Sequence, residues 1–374
     1  MSTGFDGASF DALHHQFGIQ EVVLVHGTFL GSDPFGIAET LGAIADGVPA
    51  LSVPLRAAMN ALLERTKPLT DGITGDIANY TQDFADHFQQ LVGDDPQITR
   101  LAPTWSGQNH HFARADLAVR LLCRLQERQV SEDSQAMIWG HSHAGNGMAI
   151  LSNLLANDRE SVERFFTATA ADHLPHWSNA RQILAGSSSP HPIARGLTLV
   201  TFGTPVRYGW DTAGCRRLLH VLHHRNYSET NPARCQPMFP PQRLSDVLTA
   251  RFGDWVQAFG IAGTDLDTYV TSTQNNRLKQ ILEADLIVPE HGLDTRFIRP
   301  EGIRNLCARW KTGTRCHADG RNLLVEYEPS GRKLLNAVPV EESLFGHGVY
   351  TTTDWLPAHL SLVMTEMTSQ GLKP

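Results

Sequence analysis

The residues of this chain with the clearest chemical potential lie in Gly140-His141-Ser142-His143-Ala144-Gly145. Four mostly apolar residues, Ala136 to Trp139, lead into the glycine, and a helical pattern from His143 to Leu155 follows the serine. The order is strand, sharp turn, helix. A serine hydroxyl is a weak nucleophile until it stands clear of the backbone within reach of a general base, and a strained strand-to-helix turn provides that stance. Such a turn needs small neighbours. Gly140 lies two residues before Ser142 and Ala144 two after it, with Gly145 behind. Ala144 stands where the strict G-x-S-x-G pattern has its second glycine. The first turn of the helix aims N–H groups and a partial positive charge at the place where an oxyanion would form, so the backbone N–H of His143 is a candidate donor. Side chains flanking the serine point away from it, which makes His141 and His143 poor bases.

Other elements must bring partners to this turn. Glu21 to Phe29 is a β-branched run ending at His26-Gly27, the pattern of a buried parallel strand entering a functional loop. In acyl transfer that loop supplies a second backbone donor, here Thr28 or Phe29, while His26 is expected to pack the loop. Helices are expected over Pro54–Arg65, about Ile77–Leu91, Arg114–Gln129 and Ser161–Ala170, and a short strand over Thr99–Thr104. Ser106, after that strand, lacks the elbow. Further strands are expected at Leu197–Phe202, which runs into Gly203-Thr204-Pro205, at Leu218–His223, at Asp254–Gly263 and at Arg321–Tyr327. A closing helix capped by Thr352 or Thr353 carries Leu356, Leu360, Val363 and Met367 on one face. Strands alternating with helices and no internal repeat imply an α/β fold, a mostly parallel central sheet with helices on both faces.

Composition bounds the function classes. With 41% apolar and 19% charged residues, the 374-residue chain is ordinary globular protein and can bury a large core. The formal net charge of -8 and the lack of a basic block speak against a phosphate backbone as partner, so no nucleic acid is expected. Five scattered cysteines, without a C-x-x-C pair, fit a reducing compartment. The first twenty residues do not make a secretory signal, and no apolar run reaches the roughly 20 residues of a membrane span. A cytoplasmic location is expected.

Val25-His26-Gly27-Thr28, the Ser142 elbow, the strand ending Phe202-Gly203-Thr204-Pro205 and a late histidine between glycines together resemble the α/β-hydrolase superfamily, its lipase-like branch in particular. The resemblance covers most of the chain in order. Residues 1–19 read as a polar lead-in, and the resemblance implies a single α/β-hydrolase domain over 20–374 with inserted helical or loop cap material within 206–320. It also implies a serine nucleophile, an acid and a histidine base, in that chain order. Ser142 is the nucleophile on this reading. Of eighteen histidines, His347 suits the base: it follows the last expected strand, sits in Gly346-His347-Gly348 and precedes the final helix. The acid is assigned to Asp265, after a segment resembling the family's acid-bearing strand, with Asp267, Asp285, Asp319 and Glu326 as alternatives.

The expected activity is hydrolysis of a carboxylic or lipid ester through an acyl-enzyme on Ser142, with no cofactor and no metal. The partner would be a small-molecule or lipid ester, with transient lipid-surface contact. Two other readings compete. One is a metal-dependent hydrolase using His110/His111 and His223/His224, and the other an inactive hydrolase-fold binding module, which Ala144 would suit.

Overall fold

The structure is a computed structural model that describes residues 10–27, 79–101, 105–225, 244–261, 272–282 and most of 316–371. Its centre is a sheet of six parallel strands: β1 (Ile19–Val25), β2 (Gln97–Arg100), β3 (Gln135–His141), β4 (Leu197–Phe202), β5 (Arg217–His223) and β6 (Arg321–Val325). They lie in the order β2-β1-β3-β4-β5-β6, every neighbouring pair parallel. All of β4 and all but the first residue of β3 are buried, as expected of strands covered on both faces.

The period of two along each strand splits the core. Val23, Val25, Ala136, Ile138, Leu197, Leu199 and Leu218 face one way, into one apolar cluster. Val22, Leu24, Met137, Trp139, Val200, Phe202, Leu219 and Val221 face the other. The described helices are α1 (Ala12–His15), α2 (Gln82–Val92), α3 (His111–Glu127), α4 (Ala144–Ala156), α5 (Arg159–Thr169), α6 (Pro175–Ala185), α7 (Leu244–Leu248), α8 (Trp255–Ile261), α9 (Ser272–Leu282) and α10 (Leu356–Gly371). Helices α3 to α6 and α9 cover the first face, and α1, α2 and α10 the second. Every residue of α4 is buried, so this helix is no amphipathic cover but the interior of the first layer.

Local chemistry sets the helix starts. Thr81 accepts from the Phe84 N–H ahead of α2, and Asp158 from the Ser161 N–H ahead of α5. The His110 ring accepts from the Ala113 N–H, so α3 begins three residues earlier than its apolar stripe suggests. α6 is a further helix between the expected Ser161–Ala170 helix and β4. The expected strand over Asp254–Gly263 is a correction: α8 occupies it, because the Asp254 carboxylate accepts from the Gln257 N–H and starts a helix. Thr352 donates to the Val349 carbonyl, and a short 3-10 turn, Thr353–Trp355, leads into α10. The expected helix over Pro54–Arg65 lies outside the described residues. Among the described residues no helix is long and apolar enough to cross a membrane.

The chain leaves β1 towards β2 on one side and returns to β3 on the other. Where strand order reverses in an open parallel sheet, the loops diverge and leave a crevice beyond the carboxyl ends of the strands. The two loops flanking that crevice begin at His26-Gly27 and at Ser142.

Candidate active site

Ser142 follows the last residue of β3 with φ 56°, a left-handed conformation that non-glycine residues seldom adopt. Three hydrogen bonds hold it there. Its N–H donates to the Phe202 carbonyl at 2.8 Å, and its carbonyl accepts from the Gly145 N–H at 3.0 Å and from Thr204 Oγ1 at 2.8 Å. Small residues are needed where neighbours press on the turn: a Cβ on Gly140 would stand 2.3 Å from Met148 Sδ, and one on Gly145 would stand 2.0 Å from Thr204 Oγ1. The tight approach therefore falls at 145, and Ala144 is accommodated, buried in the first core cluster. His143 is the N-cap of α4, which puts its backbone N–H at the positive end of that helix, and its Nδ1 accepts from the Asn146 amide at 3.1 Å.

The β1 loop runs over this serine, since a Cβ on Gly27 would lie 2.7 Å from Ser142 Cβ. Thr28 and Phe29, the expected oxyanion donors of that loop, lie outside the described residues. His26 packs the loop as expected: it is buried, its Nδ1 is 2.8 Å from the Gly27 carbonyl, and its ring stacks on Trp105.

His347 enters from the far end of the chain. Leu344, Phe345 and Gly346 have φ of 46°, 58° and 86°, a left-handed run that ends at the histidine. The His347 ring is 3% exposed and its Nδ1–H donates to Asp254 Oδ2 at 2.7 Å. That bond fixes the tautomer and leaves the Nε2 lone pair, which is buried and has no hydrogen-bond partner among the described residues. The ring lies 4.5 Å from that of His141, centroid to centroid. Asp254 is fully buried between β5 and α8. Its N–H donates to the His223 carbonyl, its Oδ1 accepts from the Gln257 N–H at 2.9 Å, and its Oδ2 also accepts from the Tyr350 hydroxyl at 3.0 Å. Burial first, and the nearby Asp254 charge second, hold the Tyr327 phenol well above its ordinary pKa.

Serine and histidine both approach the end of β4, Ser142 through its backbone and His347 through its ring. The Ser142 N–H is bonded to Phe202, and the next residue, Gly203, has φ +59° and no room for a side chain. A Cβ there would stand 2.4 Å from Tyr350 Cε2, 2.8 Å from Asp254 Oδ2 and 3.0 Å from His347 Cε1.

The carboxylate on His347 is thus Asp254, which the apolar pattern of the sequence makes the first residue of a strand. Asp265, the expected acid, lies outside the described residues, as do Asp267 and Asp285. Asp319 precedes β6 at the amino end of the strands, opposite the site, where its carbonyl meets His220 Nε2, and Glu326 is exposed just past β6. The histidines of the competing metal reading have their own partners. His110 Nε2 bonds to Gln108, His111 to the Tyr208 hydroxyl, and His223 Nδ1 to the Gly346 carbonyl, while the His224 N–H pairs with Val325. His359 is buried in α10 against the Tyr327 hydroxyl, and Ser106 accepts from the Gln108 N–H. Among the described residues no group of three His, Cys, Asp or Glu side chains is arranged to hold a metal ion.

No protein-family model, curated protein or solved structure matches this chain.

Proposed function

We propose that this protein is a serine hydrolase of the α/β-hydrolase type. More particularly, it cleaves carboxylic or lipid esters through an acyl-enzyme on Ser142. The observation that carries this reading is the buried His347–Asp254 pair, whose Nε2 lone pair is left without a partner among the described residues, packed on the same strand end that anchors the left-handed Ser142. A serine alone in a strained turn, or a buried histidine–aspartate pair alone, has structural uses. Their approach to the same end of β4 suits nucleophilic catalysis.

In the proposed reaction Ser142 Oγ adds to the ester carbonyl while His347 Nε2 takes its proton. The imidazolium keeps its Nδ1–H on Asp254, whose negative charge stabilises it. The carbonyl oxygen, now an oxyanion, is received by the His143 N–H at the head of α4 and by the loop after Gly27, where Thr28 and Phe29 stand. Collapse of the tetrahedral adduct breaks the bond to the alcohol, which leaves with the proton from Nε2. Water, deprotonated by the same nitrogen, then releases the acid and restores Ser142. None of these steps draws on a cofactor or a metal.

Hydrolysis of a series of p-nitrophenyl esters, from acetyl to long acyl chains, tests the proposal. Ser142→Ala is expected to lower kcat/KM for every ester that is turned over by at least about 10³-fold, and Asp254→Asn by about 10³ to 10⁴-fold. Turnover left unchanged by Ser142→Ala would overturn the mechanism.

A further inference from the structure

Tyr350 stands behind the His347–Asp254 pair, and the role it takes from that place rests on the hydrolase reading. The side chain is fully buried. Its hydroxyl oxygen accepts from the His223 backbone N–H at 2.7 Å and its O–H donates to Asp254 Oδ2 at 3.0 Å. A phenol has a single proton, and with an N–H pointing at its oxygen that proton is turned towards the carboxylate. The oxygen it reaches is the one that receives the His347 Nδ1–H, so two donors share Oδ2 while the Gln257 N–H occupies Oδ1. His223, at the end of β5, completes the frame by bonding through Nδ1 to the carbonyl of Gly346, next to His347.

We infer that Tyr350 is a positioning residue for His347, which fixes the orientation of Asp254 and draws charge from the oxygen that His347 uses. A base held by an unshared buried carboxylate would keep its proton too firmly, whereas a general base works best when its titration lies near the working pH. Tyr350 tempers that pull without removing it. Gly203 makes the arrangement possible, because any side chain there would displace Tyr350, Asp254 and His347 together. Among the described residues, the other titratable groups facing the cluster include His141 at the end of β3, 4.5 Å from His347 between ring centroids, and Tyr327 beyond β6, 6.2 Å from Tyr350. Both remain in place when only the Tyr350 hydroxyl is removed, so a change in His347 would report on that group.

The test is a direct titration of the His347 ring in the full-length protein labelled with ¹³C-histidine, the signal being assigned by its loss in His347→Gln. In Tyr350→Phe the titration midpoint is expected to rise by roughly half a pH unit or more. A midpoint that coincides with wild type would overturn the inference, since a merely structural Tyr350 would change stability and leave the midpoint alone. Should the Phe variant fail to fold, replacing Tyr350 by 3-fluorotyrosine keeps the shape and sharpens the donor. The midpoint is then expected to fall, and an unmoved one would again overturn the inference. The titration does not depend on activity. Wild-type protein that hydrolyses no ester would count against the hydrolase reading, whereas an unmoved His347 would count against Tyr350.

Discussion

Burial decides what individual histidines of this chain can do. His359 in α10 is fully buried with Nε2 on the Tyr327 hydroxyl, and loss of hydration pushes its pKa down to about 3. His220 in β5, stacked 3.9 Å from the His317 ring, is held well below its ordinary value, by burial first and by His317 second. Both rings are therefore neutral in the native state, whereas in the unfolded chain they titrate near 6.5. Between about pH 6.5 and 3 the unfolded chain binds a proton at His359 that the native one does not, and His220 acts in the same sense, so native stability is full above that window and falls as pH drops through it. For His359 this amounts to on the order of 2 kcal/mol between pH 6.5 and 5, and His220 adds to the loss in the same direction. Urea unfolding at pH 7 and pH 5 in equal salt is expected to show that loss. Equal unfolding free energies at the two values would contradict the burial of neutral rings. His347 is as deeply buried but has a carboxylate on Nδ1, and that difference marks it out for other work.

At the level of elements, the β3–Ser142–α4 turn explains a departure from the usual nucleophile pattern. The space demanded by Thr204 lies at Gly145, and Ala144 merely fills core. Ala144→Gly should therefore retain ester hydrolysis at a stability cost of about 0.5–1 kcal/mol, the ordinary penalty of glycine in a helix. Gly145→Ala should push Thr204 off the Ser142 carbonyl, abolish hydrolysis and destabilise by about 1–3 kcal/mol. Equal behaviour of the two variants in both assays would refute this account of the turn. The same local physics makes this element legible in the sequence, as it does β1, β4, β5, β6 and α10: each is a continuous or periodic apolar run with its turn chemistry close by. His347 is legible by position, between glycines and after the last strand. Asp254 is not. It precedes Trp255-Val256-Gln257-Ala258-Phe259-Gly260-Ile261, a run that reads equally well as strand, and only its capping bond to the Gln257 N–H makes it a helix start. Its partner lies 93 residues further on, a contact that no local pattern encodes, and the same holds for the Tyr350 hydroxyl on it. An aspartate ahead of a seven-residue, mostly apolar run is the one available hint.

At the scale of the whole molecule, the sheet is a bench that carries the site at the carboxyl ends of its inner strands. Ser142, Gly203 and Asp254 are held at the carboxyl ends of β3, β4 and β5, and His347 is bonded to the last of these three residues. Apolar layers on both faces fix those strand ends relative to one another. Such a support keeps the serine in a conformation it would not adopt alone, and the backbone strain persists because the surroundings over-determine it. The central claim is that Ser142 is an activated nucleophile with His347 as its base. Intact-mass analysis after exposure to a fluorophosphonate, with wild type beside Ser142→Ala and His347→Ala, tests it most directly. The account predicts one adduct per wild-type chain, mapped to the peptide holding Ser142, none on Ser142→Ala, and labelling slowed by at least about 10³-fold in His347→Ala. An adduct that survives Ser142→Ala, or a folded wild type that takes up none, would contradict it.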